Sequence, residues 1–155
     1  MNRIYLLIGK FAEITQKIEL KLGEICEKSE IIKEFNRHSK MNNDIYNRIV
    51  DDSAFLKEKM ETMTFGQMIG TVYESKSLNQ EEINTLKDLL GKRKYFTHEY
   101  FKYTNFENAT EELIVEEFEA IKADLTKLNQ MLKRLILIHE NQITRINYLK
   151  SKNGL

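Results

Sequence analysis

The hydrophobic residues of this chain recur every three or four positions over long stretches, which is the spacing of one face of an α-helix. The first stretch predicts a helix over about residues 3–34, and a second stretch predicts a helix from about Asn42 to Met60. Asn43 and Asp44 are expected to cap this second helix. Thr64 is expected to cap a short helix through about residue 73.

Two further helices are predicted in the second half of the chain. One begins with the capping-box-like sequence at residues 79–82, and the other begins at residues 109–112 and carries a sustained heptad pattern. The positions of that pattern are Ile114, Phe118, Ile121, Leu125, Leu128, Leu132 and Leu135. We therefore expect one all-α domain over residues 1–155, an up-and-down bundle of four main helices plus a short helix. The long first and last helices are expected to be antiparallel neighbours, and the tail 151–155 is expected to fray.

The composition supports helices and narrows the functional classes. The chain has no proline and only six glycines, whereas a β-rich domain of 155 residues would need more turn residues. Lys+Arg and Asp+Glu both total 24, which excludes an overall basic nucleic-acid-binding surface but leaves room for a local one. No targeting signal or membrane segment is apparent, so we expect a cytoplasmic protein.

The reactive and metal-ligating residue types are few. The single cysteine, Cys26, excludes a disulfide framework within the chain, and its place in a helix pattern predicts a small core residue. His38 is expected to be a solvated loop residue, and His139 a satisfied interface residue. Three scattered histidines and one cysteine have no metal-site spacing, so we expect no metal and no cofactor.

Residues 93–102, with the sequence RKYFTHEYFK, are the most informative segment of the chain. On a helical wheel Arg93 lies near the middle of the apolar arc of the third long helix, where an unpaired charge would cost several kcal/mol. His98 lies about 140° away from it on the same wheel. A long side chain, a local distortion or a second subunit is needed to bring the two together. The alternatives are a buried ion pair for Arg93 with a glutamate of segment 111–119, and a solvated position for His98.

The neighbourhood of Arg93 is basic and aromatic. Residues 92–102 contain four basic residues and one acidic residue, whereas residues 111–119 contain five glutamates and no base. A basic surface lined with aromatic rings suits a polyanion whose bases can stack. The candidate RNA-binding residues are Lys92, Lys94, Tyr95 and Lys102.

The pattern Arg93-x4-His98-x-Tyr100 on a helical bundle resembles the HEPN superfamily (higher eukaryotes and prokaryotes nucleotide-binding), and its tyrosine is similar to that of the HepT-type toxins. The stretch Thr64-Phe65-Gly66-Gln67 is also similar to segments of stand-alone bacterial HEPN-like proteins. The resemblance implies a metal-independent ribonuclease that acts as a homodimer, in a toxin–antitoxin or phage-defence setting.

The resemblance also implies roles for the motif residues. His98 would be the general acid or base, Arg93 would stabilise the scissile phosphate, and both subunits would line one cleft. Tyr100 would be the residue that a nucleotidyltransferase-type antitoxin adenylylates. Lys94 departs from the family pattern, which usually has a small polar residue after the arginine, and lysine cannot accept a hydrogen bond. Two alternatives are therefore a catalytically inactive HEPN-like module that binds nucleic acid or protein, and a structural protein that assembles through its heptads.

Overall fold

The computed structural model describes residues 2–94 and 110–155, and the side chains of residues 3–92 and 110–155. The described residues form five helices and no strand. The helices are α1 (Asn2–Arg37), α2 (Asn43–Glu61), α3 (Phe65–Ser75), α4 (Gln80–Lys94) and α5 (Glu111–Lys152). The prediction of an all-α helical bundle is thus confirmed. The predicted loop at residues 103–108 lies outside the described residues.

Polar side chains cap the starts of the helices largely as the sequence predicts. The Thr64 side chain accepts a hydrogen bond from the Gln67 amide, and the Gln67 side chain accepts one from the Thr64 amide. Asn79 and Glu82 form the same reciprocal pair before α4. The predicted cap of α2, Asn43 and Asp44, was wrong by one residue. Asn42 is the cap, because its extended backbone conformation lets its side chain accept a hydrogen bond from the Ile45 amide.

The helices run alternately up and down. The α1–α2 pair is antiparallel. The Phe35 and Tyr46 rings lie 5.8 Å apart near the end of α1 and the start of α2, and Lys57, near the end of α2, packs against Gly23 further back in α1. Two ion pairs show that α4 and α5 are antiparallel. Arg134 Nε lies 2.9 Å from Glu82 Oε2, and Lys92 Nζ lies 3.0 Å from Asp124 Oδ1.

The long helices α1 and α5 pack together over most of their length, but they are parallel rather than antiparallel as predicted. His139 contacts Glu24, and further along both helices Ile31 packs in one cluster with Ile146 and Leu149. The reason is that the chain reverses its direction between each helix and the next. The short helix α3 counts as a full pass through the bundle, so α5 runs in the same direction as α1.

Apolar side chains form two clusters along the α1–α5 pair. The larger cluster holds the beginning and middle of α1 together with α3, α4 and the heptad positions of α5. The smaller cluster joins the carboxyl ends of α1 and α5 to α2. Ile121, Leu125, Leu128 and Leu135 of the heptad pattern are buried within the chain itself. This part of the heptad pattern therefore serves the intramolecular core.

The last residues of the chain are more ordered than the expected frayed tail. Helix α5 continues to Lys152, and Asn153 Oδ1 accepts a hydrogen bond from the Met41 amide at 3.3 Å. Gly154 adopts a φ of 71°, a left-handed conformation that glycine tolerates without strain and that ends the helix. Leu155 then packs against the smaller apolar cluster. The hydrophobic contact and the cap together hold this terminus.

Candidate functional site

The helix α4 presents the candidate motif. Its described backbone includes Arg93 and Lys94, whose side chains lie outside the described residues. Tyr95, His98, Tyr100 and Lys102 lie wholly outside the described residues. The sequence motif therefore begins on the last described turn of α4, and the predicted meeting of Arg93 with His98 stays a prediction.

The buried face of α4 is the one that the helical wheel predicts, as far as the start of the motif. The side chains of Ile83, Leu86, Leu89 and Leu90 are all buried, which places one apolar face of α4 against α1, α3 and α5. Arg93 follows Leu89 by four residues and Leu90 by three, so its Cα is on this same face. A cationic residue thus occupies a register position that the rest of the helix uses for the core.

Lys92 is the last residue of α4 whose side chain is described, and an ion pair ties it to α5. Its Nζ atom lies 3.0 Å from Asp124 Oδ1 and 3.8 Å from Asp88 Oδ2. The Asp124 side chain is only 14 % exposed, whereas that of Lys92 is 37 % exposed. The ammonium is therefore engaged on its protein side and still reaches solvent.

Sequence reasoning did not identify Asp88 and Asp124 as partners. Asp88 could have been found from its spacing, because residues four apart on a helix face each other. Asp124 could not, because its proximity to Lys92 depends on the register between α4 and α5. The site near the motif is consequently less basic than residues 92–102 alone suggest.

The start of α5 is acidic, as expected from the sequence. Glu111 and Glu112 are exposed in the first turn, where the helix dipole favours negative charge. Glu116 and Glu119 are exposed as well, and Glu117 is partly buried. The proposed ion pair between Arg93 and one of these glutamates involves a side chain outside the described residues, so it stays a prediction.

The other chemically reactive residues have structural surroundings. Cys26 is buried in the larger cluster, and burial raises the pKa of its thiol to about 11, so the residue is an inert core side chain. The His38 ring lies at the end of α1, where its Nδ1 donates a hydrogen bond to the Glu34 carbonyl oxygen at 2.8 Å. His139 lies between α1 and α5, 15 % exposed, with Nδ1 3.5 Å from a Glu24 carboxylate oxygen. In the described part of the chain no group of three acidic, histidine or cysteine side chains could hold a metal ion.

Comparison with known proteins identifies no relative. No family model, no curated protein and no solved structure matches the chain. None of the described helices is long and apolar enough to cross a membrane.

Proposed function

We propose that the chain is a HEPN-like ribonuclease that cuts RNA without a metal and acts as a homodimer, as a toxin or defence effector of the cytoplasm. The observation that carries the proposal is the pattern Arg93-x4-His98-x-Tyr100, which begins on the last described turn of α4 in an up-and-down helical bundle. The unusual register of Arg93, on the helix face that is otherwise apolar, supports a functional reason for that residue.

The chemistry follows from the two side-chain types. An imidazole with a pKa near neutrality can take a proton from the ribose 2′-hydroxyl or give one to the leaving oxygen. A guanidinium can hold the phosphate by two hydrogen bonds and stabilise the extra negative charge of the transition state. Attack by the 2′-hydroxyl breaks the bond from phosphorus to the 5′-oxygen and leaves a 2′,3′-cyclic phosphate. DNA lacks this nucleophile, so the proposal includes a preference for RNA.

The test is RNA cleavage in EDTA by the full chain and its His98→Ala variant. We expect cleavage by the wild type that falls by about a hundredfold or more in the variant, since a general acid or base contributes about 10² to 10⁴ in rate. The products should carry 2′,3′-cyclic phosphate ends. His38→Ala is the matched control, because it removes a histidine at the far end of α1 and should leave the rate unchanged.

Arginine variants complete this test. Arg93→Ala should lose cleavage, whereas Arg48→Ala, which changes an exposed arginine of α2, should keep it. Each variant must show the helical circular dichroism and the oligomeric state of the wild type. Equal cleavage by the wild type and His98→Ala, with folded protein in both, would refute the proposal.

A second candidate function is an inactive HEPN-like module that binds nucleic acid or a partner protein. Lys94 favours it, because lysine cannot accept the hydrogen bond that a small polar residue could accept at that position. Salt-sensitive RNA binding without cleavage by the wild type would identify this function. Replacement of Lys94 by asparagine should then create cleavage activity if the lysine is the reason for its absence.

A further inference from the structure

A polar cleft lies where the α3–α4 turn meets α1 and α5, away from the motif. It has a volume of about 380 Å³. Three of its residues follow one face of α5, because Arg134, Asn141 and Arg145 are seven and four positions apart. Lys76 and Ser77 of the turn lie opposite them. The cleft therefore combines cations from two elements that are distant in the sequence.

Three of the residues around the cleft are cationic, and none of those that line it is acidic. Lys76 and Arg145 have no acidic partner within the described residues, and Arg134 uses its Nε atom for Glu82. The Arg145 guanidinium lies 5.5 Å from the centre of the Tyr148 ring, which restricts its position. Two cations of the cleft are thus uncompensated. Such a set of donors suits an anion with several acceptor oxygens.

A buried amide at the same cleft is incompletely satisfied. Gln142 lines the cleft and is only 9 % exposed. Its Nε2 donates to the Ile25 carbonyl at 3.1 Å and lies 3.5 Å from Ser77 Oγ, so the orientation of the amide is defined. Its Oε1 is buried and has no hydrogen-bond partner in the described part of the chain. Because this oxygen is buried, a ligand in the cleft does not contact it; the amide instead holds Ile25 of α1 and Ser77 of the turn in place through its donors.

The turn itself has a backbone conformation that side chains rarely adopt. Lys76 has a φ of 56°, in the left-handed region that usually belongs to glycine or asparagine. A lysine at this position accepts a strain that a glycine would avoid, while it places an ammonium group at the mouth of the cleft. Lys76 is the carboxyl-terminal cap of α3, an end at which helices commonly adopt this conformation, so the cap fixes where the Lys76 side chain leaves the backbone.

We propose that this cleft binds a phosphate monoester. Lys76 and Arg145 pair with the phosphate, and the Asn141 amide and the Ser77 hydroxyl donate to its oxygens. The chemistry fits a free nucleotide and equally the terminal phosphate of an RNA. About 20 Å of α4 separates this cleft from Arg93, so the site is distinct from the motif and does not depend on the ribonuclease proposal.

The experiment titrates the full chain with inorganic phosphate, 5′-AMP and adenosine. Binding is measured by calorimetry and by the changes in amide NMR shifts. We expect saturable binding of phosphate and 5′-AMP, no binding of adenosine, and the largest shifts at Ser77 and Asn141. A short 2′-O-methyl RNA, with and without a 5′-phosphate, separates the two sources of the ligand. Binding of AMP indicates a free nucleotide, whereas binding of the phosphorylated oligonucleotide alone indicates an RNA end.

Variants locate the site. Lys76→Asn removes the charge and keeps a residue that tolerates the left-handed conformation. Combined with Arg145→Gln, it should weaken phosphate and AMP binding by about tenfold or more. Lys133→Gln is the matched control, since it removes an exposed cation from another face of α5. If the double variant misfolds, Arg145→Gln alone and the shift map of the wild type provide the test.

Three results would overturn the proposal. They are no saturable binding of any phosphorylated probe, equal binding of adenosine and AMP, and equal loss of binding in Lys133→Gln and in the double variant. Loss of RNA cleavage in His98→Ala with AMP binding retained would leave this site and the motif as independent features.

Discussion

The ion pair between Lys92 and Asp124 gives a prediction in which stability and RNA binding change in opposite directions. Asp124→Asn keeps the size of the side chain and removes its charge. The Lys92 ammonium then loses its partner at 3.0 Å and keeps only Asp88 at 3.8 Å. The pair connects the last described turn of α4 to α5, so its loss should weaken the attachment of this turn, which carries Arg93, to the rest of the bundle.

The magnitude follows from distance and exposure. Two unit charges at 3.0 Å attract by about 1.4 kcal/mol in bulk water and by about 5.5 kcal/mol at an effective dielectric constant of about 20. Lys92 is 37 % exposed, so solvent screening and the ordering of its side chain remove much of this attraction. We expect a net loss of about 1 kcal/mol in the free energy of unfolding. For a chain of this length, that loss lowers Tm by about 2 to 4 °C.

The assay is urea unfolding of the wild type and Asp124→Asn at low salt and in 1 M NaCl. The difference should shrink at high salt, where the screening length falls to about 3 Å. Asp51→Asn, on the exposed surface of α2, is the matched control and should change stability by less than about 0.5 kcal/mol. In Asp124→Asn, RNA should bind more tightly than to the wild type, because Lys92 is released and a negative charge is gone. Unchanged stability relative to Asp51→Asn, or weaker RNA binding, would refute this reasoning.

Two further predictions concern a partly buried histidine and a helix cap. Burial, followed by the charge of Lys21, lowers the pKa of His139 below its ordinary value of 6.5, so the unfolded chain binds the proton more readily. The resulting stability is present above about pH 6.5 and is lost as the pH falls through the lower folded pKa. Unfolding measured from pH 7.5 to 5 should therefore show a slope that is reduced in His139→Gln, and an unchanged slope would contradict this. Thr64→Ala should lower the free energy of unfolding by about 1 kcal/mol, because the Gln67 amide loses its acceptor; Thr126→Ala, at an exposed position within α5, is the comparison, and an equal loss in both would count against the cap.

The helices and their core faces could be predicted from the sequence because both depend on local rules. The spacing of apolar residues predicted the buried face of α4, and Thr64 and Asn79 were identifiable caps. The predicted antiparallel direction of α5 relative to α1 was wrong, because this direction depends on whether a short helix passes fully through the bundle. That is a property of packing rather than of periodicity.

Glycines 66 and 70 show the same limit in a smaller feature. They are four positions apart, so they share one face of a helix, and this spacing predicts a close approach of another helix there. Both are exposed, however, and a Cβ atom at either would meet no described atom within 4 Å beyond the adjoining backbone of its own helix. The cleft between the α3–α4 turn and α5 could not be predicted from the sequence for a related reason. Residues 76–77 and 134–145 are distant in sequence, and only the register of three helices brings them together.

The parallel arrangement of α1 and α5 has an electrostatic consequence. Each helix carries a partial negative charge at its carboxyl end, and here two such ends lie side by side, joined by the contact between Met41 and Asn153. Like poles of two long macrodipoles repel, which would weaken this end of the bundle. The last turns carry Arg37 and the pair Lys150 and Lys152, so each pole has a cation beside it. These surface cations therefore act on the backbone field of the fold, and high salt should weaken both the repulsion and its compensation together.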